Sequence, residues 1–156
     1  MKESSLPLAK LELIWWIFTA LLTLGVLLPI LSSLSDYRFL YTNILYVVAF
    51  VTLTRYSFQL KYTFLAKRQY LKLVLAYLAL PFVFYLVQEL NYFQTFLDER
   101  GMDALVGELP AGERKGMAAY IRSEMLLFGV GSIISSVVFP VRLVISYWRY
   151  RNRGKA

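Results

Sequence analysis

The sequence predicts an all-α integral membrane protein: a four-helix bundle whose termini both lie in the cytoplasm. Three observations carry that prediction. Apolar side chains make up 58% of the 156 residues, against about 45–50% in a soluble domain. Four stretches are long enough to cross a hydrocarbon core of about 30 Å, which takes roughly 20 mostly apolar residues in a helix. The basic residues gather on one side of those stretches. The length suits one domain, 1–156.

The spans fall at about 13–34, 40–60, 71–92 and 125–148. The first carries no charge. It is long for a secretory signal, lacks a small-x-small cleavage pattern and is followed by three more spans, so the sequence predicts that it is retained. The second is interrupted only by Arg55. The third has Lys72 and Glu89 near its ends, and the fourth has one internal charge, Arg142. None shows the alternation of a membrane barrel strand. Residues 36–38 make a tight link and residues 61–70 a basic, aromatic turn. The long connection 93–122 is acidic and rich in glycine, and reads as an outer loop with one amphipathic turn-and-a-half from Met102 to Leu109, broken at 107–112. From Lys115 the chain is expected to turn helical and run into the fourth span.

Orientation follows from lysine and arginine. The side with the N-terminus, the 61–70 turn and the C-terminus holds 12 of them with two acids, and the other side holds five with eight acids. The positive-inside rule makes the first side cytoplasmic, in a bacterial inner membrane. A pI near 9.7 also suits nucleic-acid binding, but these charges flank apolar spans and form no face of a soluble fold, so no nucleic acid is expected. The tail 148–155 attracts anionic lipid. Trp15, Trp16, Tyr147 and Trp148 mark one membrane boundary and Tyr37, Tyr41 and Tyr92 the other, as aromatic belts do.

Charges within spans need a reason, because each costs about 2.5–3.5 kcal/mol at the centre. Arg55 and Arg142 lie near the cytoplasmic ends of their spans, where they can snorkel or find a partner. Glu12 is the acid at their depth, so a polar network of Glu12 with Arg55 or Arg142 is a candidate. In the third span Tyr70, Tyr77, Pro81, Tyr85, Gln88 and Tyr92 share one face at helical spacing. A phenol facing lipid lacks a hydrogen-bond partner, so this face is expected to point inward, either as packing or as a cavity formed by Tyr77, Tyr85, Gln88 and Glu89. In the fourth span Gly129, Ser132 and Ser136 form a small-residue face, suited equally to packing within the chain and to self-association.

The sequence contains no histidine and no cysteine. That excludes the Ser-His-Asp triad, thiol nucleophiles, disulfides and Cys/His zinc sites. No Gly-rich phosphate loop is present. The acids of the outer loop have no opposing group and read as a solvated face. No enzyme, cofactor or metal is expected.

Residues 55–78, from Arg55-Tyr-Ser-Phe-Gln-Leu through Leu65-Ala-Lys-Arg-Gln-Tyr to Ala76-Tyr-Leu, resemble the helix, basic turn and helix of membrane domains in LytS-like sensor histidine kinases. Residues 141–153 resemble the basic linker that leads from such domains to the kinase. The resemblance implies a sensor-type membrane module; with no histidine there is no phosphoacceptor, so signalling would pass through a partner. The favoured function is a non-enzymatic accessory or sensor-like module. Its surface of Lys67, Arg68, Tyr70, Trp148, Arg149 and Arg151 would meet a membrane-protein partner or anionic lipid. The alternative is a small transporter or channel subunit built on the third-span face.

Overall fold

The computed structural model describes residues 7–153, and all the regular structure among them is helical. Four long helices, α1 (Leu8–Ser33), α2 (Leu40–Phe58), α3 (Gln69–Arg100) and α5 (Ala111–Asn152), are joined by short connections, the last of which holds the single turn α4 (Asp103–Val106). Helices α1, α3 and α5 are long and apolar enough to cross a membrane, which gives the chain the character of a multi-pass membrane protein.

The second predicted span is the exception. A helix stands there, and 19 residues at about 1.5 Å each reach about 28 Å. Its Asn43, Thr52, Thr54, Arg55 and Ser57 make it too polar to count with the other three. Its burial explains the composition: Asn43, Tyr46, Val47, Arg55, Tyr56 and Ser57 are all buried against the other helices. A helix enclosed by protein can carry polar groups where a lipid-facing one cannot.

Helix α5 is the central element, packed along both α2 and α3. Small side chains allow that. Gly129, Ser132 and Ser136 are buried at the crossing, and a Cβ on Gly129 would stand 3.0 Å from Leu90 Cδ1 and 3.4 Å from Tyr46 Cε2. The serines close their hydroxyls onto their own helix, Ser132 Oγ donating to the Gly129 carbonyl and Ser136 Oγ to that of Ile133, each at 2.8 Å. The small-residue face is therefore occupied within the chain and is not free for self-association. Ala76 and Ala79 of α3 complete the contact, opposite Phe139 and Leu143.

Helix α1 leans on α2 through one stripe, Thr19, Thr23, Leu27 and Ile30. Both threonines bond carbonyls of their own helix at 2.8 Å, which satisfies the hydroxyl and leaves the methyl to pack. Most other large side chains of α1 are exposed, as expected of a helix solvated by lipid.

Residues 93–122 are not a loop over most of their length. Helix α3 runs on to Arg100 and ends at Gly101, whose φ of +73° is the left-handed conformation glycine adopts without strain. Helix α5 starts behind Pro110, where the fixed φ and missing N–H suit a helix start. Between them Leu105, Val106 and Leu109 are buried with Phe93, Phe96, Ile121 and Met125 in the larger hydrophobic core. At about 48 Å for α3 and about 63 Å for α5, from 32 and 42 residues, both helices exceed the hydrocarbon core. The excess is folded into a capped end.

Candidate functional site

Polar chemistry collects at the two ends of the bundle. At the basic end the start of α1, the end of α2 and the turn before α3 meet on one carboxylate. Glu12 Oε2 lies 2.7 Å from Arg55 Nη1 and accepts from the Tyr56 hydroxyl at 3.2 Å, while Oε1 accepts from the Phe64 backbone N–H at 3.3 Å. The guanidinium stands over the Trp15 and Tyr56 rings at 5.3 and 5.4 Å. Its side chain is only 5% exposed, and Nε and Nη2 are buried without partners among the described residues. Of the two arginines the sequence offered to Glu12, the structure brings Arg55 to it. Arg142 instead donates from Nε to the Ser57 carbonyl at 3.0 Å, near the end of α2. A backbone carbonyl close to a helix end lacks its intrahelical donor and is a natural acceptor.

Lys72 is a second buried cation, and sequence reasoning gave it no role. Its Nζ donates to the Ala66 carbonyl at 3.1 Å, to Gln69 Oε1 at 3.0 Å and to Ser146 Oγ at 3.0 Å. All three acceptors are neutral. Its place near the end of an apolar run looks like an interfacial charge, and only the packing of the chain brings Ala66 of the 3-10 turn Phe64–Ala66 and Ser146 of α5 onto it. Beside it opens a recess of about 410 Å³ whose lining includes Lys61, Arg142, Arg149 and Arg153.

At the opposite end Asn43 Nδ2 donates to Glu124 Oε1 and, at 3.3 Å, to the Tyr37 hydroxyl. Asn43 Oδ1 and Glu124 Oε2 are buried and have no partner among the described residues. Burial, and after it the neighbouring Glu124 carboxyl, pushes the Tyr37 phenol well above its ordinary value, with Asn43 opposing. Sequence reasoning missed this cluster because Glu124 reads as the last acid of a loop and Asn43 as an isolated polar residue. Thr42 Oγ1 donates to Glu89 Oε2 at 2.9 Å. Arg38 bonds the Tyr92 hydroxyl and stands over the Phe96 ring at 5.3 Å.

The third-helix face does not point inward. Tyr77 is 74% and Tyr85 48% exposed, and Tyr70, Gln88 and Tyr92 lie on the same outer side. The face that turns in is Ala76, Ala79, Leu86, Leu90 and Phe93; along the α5 crossing Leu90 meets Gly129, and Ala76 and Ala79 leave room for Phe139 and Leu143, where phenols would overfill the space. Of the four residues proposed to form a cavity, only Glu89 is partly buried, held by Thr42. Lys67, Arg68, Trp148, Arg149 and Arg151 are all exposed at the basic end. Comparison with family models, with curated proteins and with solved structures gave no match.

Proposed function

We propose that this chain is a four-pass membrane protein, with both termini cytoplasmic, that works without catalysis as an interaction module, and that a partner helix covers the Tyr85 side of the tyrosine face of α3. Helix α2 serves as the fourth pass because its polar groups have partners on other helices: Thr42 with Glu89, Thr54 with Ser135 at 2.8 Å, and Arg55 with Glu12. The basic end takes the cytoplasmic side by its excess of lysine and arginine. The resemblance of residues 55–78 to sensor membrane domains points the same way, toward a module that passes its signal to another protein.

The observation that carries this reading is the exposure of Tyr85. It lies about 10 Å inside the nearer end of the apolar stretch 71–92, too deep for the phenol to reach the interface readily. A hydroxyl in hydrocarbon without a partner is costly, and a neighbouring transmembrane helix with a hydrogen-bonding group relieves that cost. A transport role would need the same face to line an interior cavity, and its tyrosines lie on the outside.

A photo-crosslinking residue in place of Tyr85, activated in native membranes, should join the chain to a discrete protein band. The same residue at Leu24, exposed on α1, should yield lipid adducts only. Lipid adducts alone at both positions would refute the partner.

A further inference from the structure

We infer that the cleft between α3 and α5 at the basic end holds one anionic phospholipid, with its phosphate in the recess and one acyl chain in the groove that continues from it. The inference rests on the reading that this end lies at the cytoplasmic lipid interface, and it assigns residues which that reading leaves without a role.

Charge is the first observation. The recess is lined by Lys61, Lys72, Arg142, Arg149 and Arg153, and among the described residues no carboxylate lines it. Lys61, Arg142, Arg149 and Arg153 are exposed and only Lys72 is buried, and together they give the recess of about 410 Å³ a positive field that favours an anion. Lys72 sharpens the point, because it is 2% exposed and its three hydrogen bonds end on neutral oxygens. A buried ammonium is normally paired with opposite charge. Its donors are used, so it acts on a bound anion through its field. Arg142 has spent only Nε on Ser57, which leaves its two terminal nitrogens for the bidentate contact that guanidinium makes with phosphate oxygens. Lys61 and Arg149 are exposed on the rim.

Shape is the second observation, and it selects the source of the phosphate. An open apolar groove of about 660 Å³ runs between Leu73, Tyr77, Leu80 and Phe84 of α3 and Val137 and Val141 of α5, on the side of α3 away from Tyr85, and Ile145 belongs to both groove and recess. From Leu73 to Phe84 the groove follows α3 for about 16 Å. That is close to half of an approximately 30 Å hydrocarbon core, the depth of one leaflet. A free phosphate would fill the recess and leave the groove unused, whereas a phospholipid uses both. The polar and apolar parts stand in the order in which a cytoplasmic-leaflet lipid presents its headgroup and its chain.

The test uses the full chain, purified in a neutral detergent and supplied with defined amounts of phosphatidylglycerol or phosphatidylcholine. Lipid retained after gel filtration is counted by native mass spectrometry. Phosphatidylglycerol should be retained in preference to phosphatidylcholine. The double variant Lys61→Gln/Arg149→Gln removes two exposed rim charges, and at the usual contribution of a surface cation should weaken phosphatidylglycerol about thirtyfold while leaving phosphatidylcholine unchanged. Val144→Trp, at an exposed position lining the groove, should weaken both lipids and leave the headgroup preference intact. Inorganic phosphate at millimolar concentration should not displace the lipid. Equal retention of the two lipids, or no effect of the double variant, overturns the site; displacement by inorganic phosphate overturns the phospholipid as its occupant. The partner proposal is tested separately by the Tyr85 crosslink, since lipid binding to the isolated chain needs no partner. The membrane reading itself would fail visibly if alkaline carbonate released the protein from membranes.

Discussion

Replacing Glu12 or Arg55 alone, and then both together, reads the value of the link between α1 and the rest of the bundle. At 2.7 Å and an effective dielectric constant of about 20, the Coulomb attraction is about 6 kcal/mol. Desolvation of both groups opposes it, the side chains being 5% and 16% exposed, and two further guanidinium nitrogens are buried without acceptors. The net value of the pair is therefore small, while removal of one member strands the other. Glu12→Leu leaves the Arg55 charge buried against Trp15 and Tyr56 with no anion, and should destabilise by about 3–5 kcal/mol. Arg55→Leu should cost less, about 1–3 kcal/mol, because Glu12 keeps the Tyr56 hydroxyl and the Phe64 N–H. Glu12→Leu/Arg55→Leu should return to within about 1 kcal/mol of the parent, since apolar replacement of a buried pair is often neutral. The assay is reversible unfolding in mixed micelles of mild detergent and sodium dodecyl sulfate, with tryptophan fluorescence as the signal; Trp15 lies beside the pair. Costs of the single variants that simply add in the double would show that the two groups act independently and would refute the reasoning.

Glu124→Gln should hold or raise stability in the same assay, because it supplies an N–H for the unpartnered Asn43 Oδ1. Glu124→Leu, by contrast, should lose about 1–3 kcal/mol by leaving Asn43 with less than it has now; equal effects of the two substitutions would show that the cluster is held by volume and not by hydrogen bonds. Single cysteines at Lys67 and Asp103, introduced into a chain that has none, should react with a membrane-impermeant maleimide from opposite faces of sealed vesicles, and labelling of both from one face would refute the proposed topology.

Legibility in the sequence tracked the kind of signal. The apolar runs at 13–34, 71–92 and 125–148 became α1, α3 and α5 because length and hydropathy are properties of a segment. Proximity of Glu12 and Arg55 could be proposed from depth alone, since an up-and-down arrangement brings the start of the first helix beside the end of the second. The residues 93–122 looked like a loop because Asp98, Glu99 and Glu113 mask a helical alternation. Phe93, Phe96, Ile121 and Met125 are buried on one side of their helices, and hydropathy averaged over a window discards that side.

By itself, the sequence determined that this is a helical chain with long apolar segments, a charge bias between its two ends and no side chains for thiol or imidazole chemistry. Which face of each helix turns inward was decided only by the tertiary structure. The tyrosine stripe of α3 is expected inside because phenols need partners, but Gly129 of α5 admits Leu90 and the alanines Ala76 and Ala79 admit Phe139 and Leu143, so the stripe is turned out. Lys72 is one cation among many in the sequence, and only the fold brings Ala66 and Ser146 to its ammonium. Periodicity says which residues share a face; only the fit of one surface against another says where that face points.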